Sequence, residues 1–104
     1  MARFDIYKNP GKLAVSVPYV LDVQSDSVSG LPTRLVIPLR VRSSLAQDLP
    51  QDLCPIFTIE GQEHFLATAE LGAIPVKLLK SKIGNVHDRA LEISSALDRI
   101  FGHP

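Results

Sequence analysis

The sequence predicts a mainly β fold, in which an antiparallel barrel-like or sandwich-like sheet packs against one C-terminal α-helix. Across residues 3–79, short apolar runs rich in β-branched residues are separated by proline, glycine and other turn formers. After that region the apolar spacing changes to three and four, which is typical of a helix. Strand and helix patterns do not alternate along the chain, which disfavours a parallel sheet.

The strand pattern divides into five segments. We expect strands over residues 3–8, 19–25, 33–41 and 73–79, and a hairpin within 54–70 that turns at residues 60–62. Pro38 has no amide hydrogen for a ladder bond, so an edge or a bulge is expected at that point of the third strand. Ser43 or Ser44 is expected to cap a short helical turn in the segment that follows.

The C-terminal segment predicts an amphipathic helix that begins near Val86. Asn85 is a good N-cap, Asp88 would stand at the third helical position, and Gly102 would end the helix. One stripe of this helix is apolar and needs a sheet or a partner to cover it. That stripe contains Val86, Ala90, Ile93, Leu97, Ile100 and Phe101.

The length of 104 residues fits a single domain over 1–104, and the 45% hydrophobic and 21% charged fractions are typical of a globular chain. Eleven basic and eleven acidic residues give a net charge of zero. Nucleic-acid binders usually carry a basic excess, so direct binding of DNA or RNA is disfavoured. The single cysteine, Cys54, excludes an intramolecular disulfide, and no apolar run approaches membrane-spanning length. We therefore expect a cytoplasmic protein that does not enter a membrane.

The stretch Asp22-Val23-Gln24-Ser25-Asp26 places polar side chains at alternate positions of a predicted strand. Asp22 and Asp26 would lie roughly 13 Å apart at Cα. The carboxylates of a glycosidase lie about 5–10 Å apart, so this pair fits acid–base catalysis poorly. We expect Asp22 and Gln24 to hydrogen-bond across strands or line an interface, and Asp26 to begin a turn.

No other pattern indicates catalysis or a cofactor. The three histidines, His64, His87 and His103, are not spaced as metal ligands are. Cys54 is the single cysteine, so there is no second cysteine to form a thiolate site. We expect Cys54 to be a small buried hydrophobe. Neither a nucleophile-elbow motif nor a phosphate-cradling glycine loop is present. The sequence therefore predicts a binding module that is not an enzyme and needs no cofactor or metal.

Several segments, read in order, resemble the CcdB family of toxins of bacterial type II toxin–antitoxin modules. They are RFDIYKN, PYVLDVQSD, RLVIPL, LCPIFTIEGQ and IPVKLL, followed by the terminal helix. The resemblance implies a homodimer of SH3-like barrels of about five strands, each with a small additional sheet and a C-terminal helix. It also implies binding to the A subunit of DNA gyrase, which traps the cleaved-DNA complex. The disordered C-terminal tail of an antitoxin would neutralise the toxin, and contact with operator DNA would be made only through that antitoxin.

The resemblance implies a gyrase-binding set at the C-terminal tip and at one loop. Family members typically end in an aromatic residue, glycine and isoleucine. An ungapped alignment places Gly102, His103 and Pro104 on these positions, and a shift of one residue matches Phe101 and Gly102 instead. Phe101 also belongs to the apolar stripe, so it either packs inward or faces a partner.

Three further residues complete the implied set. Asp98 lies on the last turn of the predicted helix. Ser27 and Val28 stand just after DVQSD, where the family usually has apolar residues.

Two alternative functions remain open at this point. An endoribonuclease of the MazF and Kid group, which shares this fold, would need a base and a cation at the phosphate. Its candidates here are Arg34, Arg40, Arg42 and His64. The other alternative is a homologue that has lost toxicity and acts as an antitoxin-binding co-repressor.

Overall fold

The computed structural model describes residues 1–12, 14–42 and 49–102, and in these residues it contains seven β-strands and one α-helix. The mainly β prediction with a C-terminal helix is therefore confirmed. The strands are β1 (Asp5–Lys8), β2 (Tyr19–Asp22), β3 (Thr33–Val41), β4 (Ile56–Ile59), β5 (Gln62–Leu66), β6 (Gly72–Pro75) and β7 (Lys82–Asn85), and the helix is α1 (Ala90–Phe101).

All strand pairs are antiparallel and belong to one curled sheet in the order β4-β5-β3-β2-β1-β7. The nine-residue strand β3 contacts three partners. It pairs with β2 on one side. On the other side its first half pairs with β6 and its second half with β5. The first and last strands along the chain, β1 and β7, pair with each other.

Pro38 lies inside the sheet, so the prediction of an edge or a bulge at this residue was wrong. It stands opposite Val20 of β2, and its carbonyl oxygen accepts a hydrogen bond from Ala67 N at 2.9 Å. On that side of β3 the partner changes from β6, which ends its pairing at Val36, to β5, which begins at Leu39. Pro38, which has no amide hydrogen, therefore stands between the two paired segments, where it can accept one bond and donate none.

The sheet is covered on both faces. The larger core lies between the sheet and α1, and Ile93 from the helix is fully buried in it. The smaller core lies on the opposite face beneath the segment that follows β6. The sheet residues of the larger core are Ile6, Tyr19, Leu21, Ile37, Leu39, Phe57, Ile59 and Leu66, and the smaller core contains Tyr7, Val20, Val36 and Leu79.

The observed strands differ from the prediction in several places, and β1 begins at Asp5, two residues later than expected. The second strand ends at Asp22, although Val23 N still donates to Leu35 O at 2.9 Å. The segment predicted as a strand over 73–79 is β6 followed by a 3-10 turn over Val76–Leu78. Strand β7 was not predicted. The helical turn expected with Ser43 or Ser44 as its cap lies outside the described residues.

The predicted hairpin is confirmed as β4 and β5. Glu60 and Gly61 form its two-residue turn, with φ angles of 52° and 80°. Positive φ at both central residues is the geometry of a type I′ turn, whose twist matches that of the flanking strands.

The C-terminal helix begins later than predicted. A 3-10 turn over His87–Arg89 precedes α1, so Asp88 lies in that turn and not at the third position of the helix. Asn85 is therefore not the N-cap of α1, which is Arg89; its Oδ1 accepts a hydrogen bond from His87 N at 2.8 Å in the turn that precedes the helix. Gly102 ends the helix as predicted, with φ of 81°. No helix in the described part of the chain is long and apolar enough to cross a membrane.

Candidate functional site

Asp22 forms a buried ion pair with Arg34. Arg34 Nε lies 2.8 Å from Asp22 Oδ2, Nη2 lies 3.0 Å from Oδ1, and both residues are fully buried. Burial raises the pKa of Asp22, and the bonds from Arg34 and from Gln24 N oppose that rise. The carboxylate is compensated and screened from solvent, so it has a structural role, in agreement with the cross-strand bonding that the sequence predicts.

Gln24 connects this buried pair to an exposed turn. Its Oε1 accepts a hydrogen bond from Leu35 N at 2.9 Å, and its Nε2 donates to Val28 O at 2.8 Å. Asp26 begins a 3-10 turn over Asp26–Val28, as predicted, and accepts a bond from Arg3 N at 2.9 Å. The alternating polar residues of DVQSD therefore build a support for this turn.

The turn presents the two predicted loop residues to solvent. Ser27 is exposed, and Val28 is 45% exposed. Leu31, three residues further along, is 52% exposed and donates its amide to Val28 O at 3.4 Å. Exposed apolar side chains thus lie at the end of the turn and just after it, where they are available to a partner.

Phe101 faces solvent at the end of α1. It is 70% exposed, whereas Ile93 on the same helix is fully buried. Phe101 follows Ile93 by eight residues, which corresponds to a rotation of about 80° around the helix axis. Asp98 and Gly102 are also exposed, whereas His103 and Pro104 lie outside the described residues.

The two parts of the predicted site lie at opposite ends of α1 within one chain. Arg3, whose amide contacts Asp26, places its guanidinium 4.7 Å from the Phe4 ring centroid. The Phe4 ring lies 5.9 Å from the ring of His87, just before the helix begins. Phe101 stands at the other end of a twelve-residue helix, which is about 18 Å long. These contacts therefore connect the turn to the start of α1, at the end of the helix opposite to Phe101.

The arginines considered for RNA cleavage are engaged with carboxylates. Arg34 is buried against Asp22. Arg40 makes two bonds to Glu70, at 2.8 and 2.6 Å, and Arg42 lies 2.9 Å from Glu63. The bond from Arg40 lowers the pKa of Glu70, as expected for an ion pair. Each guanidinium therefore already has a counter-charge where a phosphate would have to bind.

The histidine and cysteine candidates are buried. His64 is 1% exposed, its Nδ1 lies 2.9 Å from Gln62 O, and its ring meets the Tyr19 ring edge-on at 5.2 Å. Cys54 is 7% exposed, as predicted, and burial raises the pKa of its thiol. Among the described residues, no group of three or more His, Cys, Asp or Glu side chains could hold a metal ion.

Two features of the structure have no counterpart in the sequence patterns. Asp5 is 1% exposed and bonds to Asn85 Nδ2 at 2.9 Å and to Lys82 Nζ at 3.2 Å. Burial opposes ionisation of Asp5, but these partners outweigh it and lower its pKa. The second feature is a largely apolar pocket of about 230 Å³ that includes Val17, Ile74 and the Arg40–Glu70 pair in its lining. Both features join segments far apart in the sequence, so no local motif marks them.

The structure is thus a curled antiparallel sheet with one C-terminal helix, and it exposes apolar side chains at a turn and at the helix end. A model of the CcdB protein family matches residues 3–102, nearly the whole chain. The chain therefore belongs to the CcdB family, and this membership makes it a toxin of a toxin–antitoxin module.

Proposed function

We propose that this protein is a homodimeric cytoplasmic toxin that binds the A subunit of DNA gyrase and traps the gyrase–DNA cleavage complex. Its antitoxin would neutralise it through a C-terminal tail and would make the contacts with operator DNA. The toxin would act by binding alone, with no catalytic group or cofactor. The observation that carries this proposal is the solvent-facing Phe101 at the end of α1 in a chain of the CcdB family.

Phe101 has the properties of an interface anchor. A phenyl ring that is 70% exposed in the free protein gains from burial in a complex, and its face can stack on an arginine of the partner. Anchors of this kind contribute about 2 kcal/mol or more each to binding. Gly102, with φ of 81°, turns the chain away from the helix axis directly after the ring and leaves it accessible.

Dimerisation accounts for the separation of the two predicted contacts. The contacts of the turn lead to the start of α1, and Phe101 lies at the other end of that helix. In a dimer with two-fold symmetry, the turn of one copy can stand beside the helix end of the other. We propose that the composite surface contains Ser27, Val28, Asp98, Phe101, Gly102, His103 and Pro104.

The test is a cleavage assay with purified protein, gyrase, supercoiled plasmid and ATP. We expect linear plasmid to accumulate with the wild-type protein. Phe101→Ala should lower the potency at least about tenfold, because it removes an anchor. Leu91→Ala is the matched control, since Leu91 is an 84% exposed apolar residue near the other end of the same helix.

The outcomes separate the alternatives. Linear plasmid with wild type and Leu91→Ala, and its loss with Phe101→Ala, would support gyrase poisoning through the helix end. No linear plasmid with any variant, together with tight binding to the antitoxin tail, would contradict the proposal and favour the non-toxic homologue. Equal potency of all three proteins would exclude Phe101 as an anchor.

A further inference from the structure

We propose that Gln24 is a positioning residue for gyrase docking, because its buried side-chain amide sets how the turn at Val28 is presented. This inference rests on the proposed function, in which Val28 contacts gyrase. Gln24 itself is 8% exposed and would not touch a partner.

Both ends of the Gln24 amide bind main chain on different segments. Oε1 accepts from Leu35 N on β3, and Nε2 donates to Val28 O in the turn. One rigid planar group thus ties the turn to the central strand of the sheet. Replacement of either atom removes one of the two ties and leaves the other.

The buried Asp22–Arg34 ion pair also contacts the main chain of Gln24. Gln24 N donates to Asp22 Oδ1 at 3.0 Å, and Arg34 Nη2 lies 3.4 Å from Gln24 O. The main chain of Gln24 is therefore fixed at both its amide and its carbonyl before the side chain reaches out. The ion pair therefore positions the main chain of Gln24, and the side chain of Gln24 positions Val28.

The other ties of the turn lie nearer to solvent. Ser25 Oγ accepts from Ser27 N at 3.2 Å, and Asp26 accepts from Arg3 N, with the side chain of Asp26 63% exposed. Water competes with exposed bonds of this kind, so they restrain the turn weakly. The bond from Gln24 Nε2 to Val28 O is partly buried, and its donor side chain is only 8% exposed, so water competes with it less than with the other two bonds.

A turn held in one conformation before docking loses less conformational entropy on binding than a mobile turn. Loss of the Gln24 tie should therefore weaken gyrase binding even though no contact with gyrase is removed. One hydrogen bond of this class corresponds to about a tenfold change in affinity.

Two variants and one matched control test this role. Gln24→Glu keeps the acceptor for Leu35 N but places an oxygen against Val28 O, and Gln24→Met removes both bonds. Asn9→Asp is the control, because the Asn9 amide also makes two main-chain bonds, to Val17 O and from Gly11 N, in another loop. The measurements are the affinity for the gyrase A subunit and amide hydrogen exchange at Val28, Ser29 and Leu31.

We expect both Gln24 variants to bind gyrase about tenfold more weakly and to exchange faster at the turn amides. Asn9→Asp should keep its affinity within about twofold of wild type and its exchange at the turn unchanged. Wild-type affinity in both Gln24 variants would overturn the inference, and so would unchanged exchange at the turn. If wild-type protein itself does not bind gyrase, the proposed function fails, and hydrogen exchange still decides whether Gln24 holds the turn.

Discussion

Asp22 and Arg34 neutralise each other inside the sheet, with two side-chain bonds of 2.8 and 3.0 Å and almost no solvent contact. Neither charge would be stable there alone, since removing an ion from water costs several kcal/mol unless a partner compensates it. The pair stands diagonally across β2 and β3, and Gln24 extends it towards the exposed turn. The interior of the protein and its candidate docking surface are thus joined by one polar network.

Asp22→Asn should destabilise the protein by about 3–5 kcal/mol, because it leaves the buried Arg34 charge with only the exposed Asp26 carboxylate, 4.0 Å away, as a counter-charge. Glu63→Gln is the control, since it breaks an ion pair with Arg42 that is about half exposed and should change stability by less than about 1 kcal/mol. Urea unfolding followed by circular dichroism measures both. If the two variants lost the same amount of unfolding free energy, the buried Asp22–Arg34 pair would contribute no more to stability than the exposed Arg42–Glu63 pair.

Ile93→Ala should cost about 2–5 kcal/mol of unfolding free energy, because Ile93 is fully buried between α1 and the sheet. Phe101→Ala on the same helix should change it by no more than about 0.5 kcal/mol, because the ring already lies in solvent. Chemical denaturation of the two variants beside wild type gives the comparison. A large loss in Phe101→Ala would mean that the ring packs on the protein in solution.

Gly61→Ala should destabilise the protein by about 1–2 kcal/mol through backbone strain alone. Gly61 has φ of 80°, but a Cβ placed there meets no atom within 4 Å. Gly30→Ala is the control, because it also meets nothing and does not have a positive φ. It should be neutral or stabilising by up to about 1 kcal/mol. Thermal unfolding distinguishes the two, and a neutral Gly61→Ala would argue against the type I′ turn.

The Arg40–Glu70 ion pair should make stability fall in acid. The bond from Arg40 lowers the pKa of Glu70 in the folded protein below its ordinary value of 4.5. The contribution is therefore fully present above about pH 4.5 and is lost as the pH falls through the lower folded pKa. Both partners are partly exposed, so the effect is modest and should weaken with added salt.

Thermal unfolding of wild type and Glu70→Gln between about pH 7 and pH 3 measures this contribution. The stability difference between the two proteins should shrink as the pH falls, because protonated Glu70 no longer pairs with Arg40. A difference that stays constant over that range would contradict an ionic contribution from Glu70.

The regular parts of the fold were predictable because each has a local pattern. Strand β3 was predicted with its observed bounds, since its β-branched run is long, and Glu60-Gly61 marked the hairpin. Strand β7 was missed because its four residues contain one large apolar side chain, Ile83, and it forms only by pairing with β1. The sequence does not distinguish the 3-10 turn before α1 from the first turn of the helix, because 3-10 and α-helical turns have similar capping residues and a similar spacing of apolar residues.

The candidate site was less predictable than the fold. The role of Asp22 depends on Arg34, twelve residues later, and only the register of β2 on β3 shows that they meet. The apolar stripe of α1 does not show whether Phe101 packs inward. In the structure the sheet buries Ile93 and Ala96, whereas Ile100 and Phe101 at the end of the helix are exposed. Which end of α1 the turn at Val28 is connected to is likewise a property of the three-dimensional fold.

The pairing of β1 with β7 also has a consequence for the time at which the protein becomes folded during translation. Asn85 donates one hydrogen bond to Arg3 O and another to Asp5 Oδ1, across about eighty residues. While the chain is being made, β1 can pair with β2, but its other edge stays open until residues 82–85 leave the ribosome. The sheet is thus completed only after β7 is available, and the helix that carries Phe101 follows β7 in the chain. A nascent chain would therefore acquire the helix end of its docking surface only after the sheet that supports it is complete.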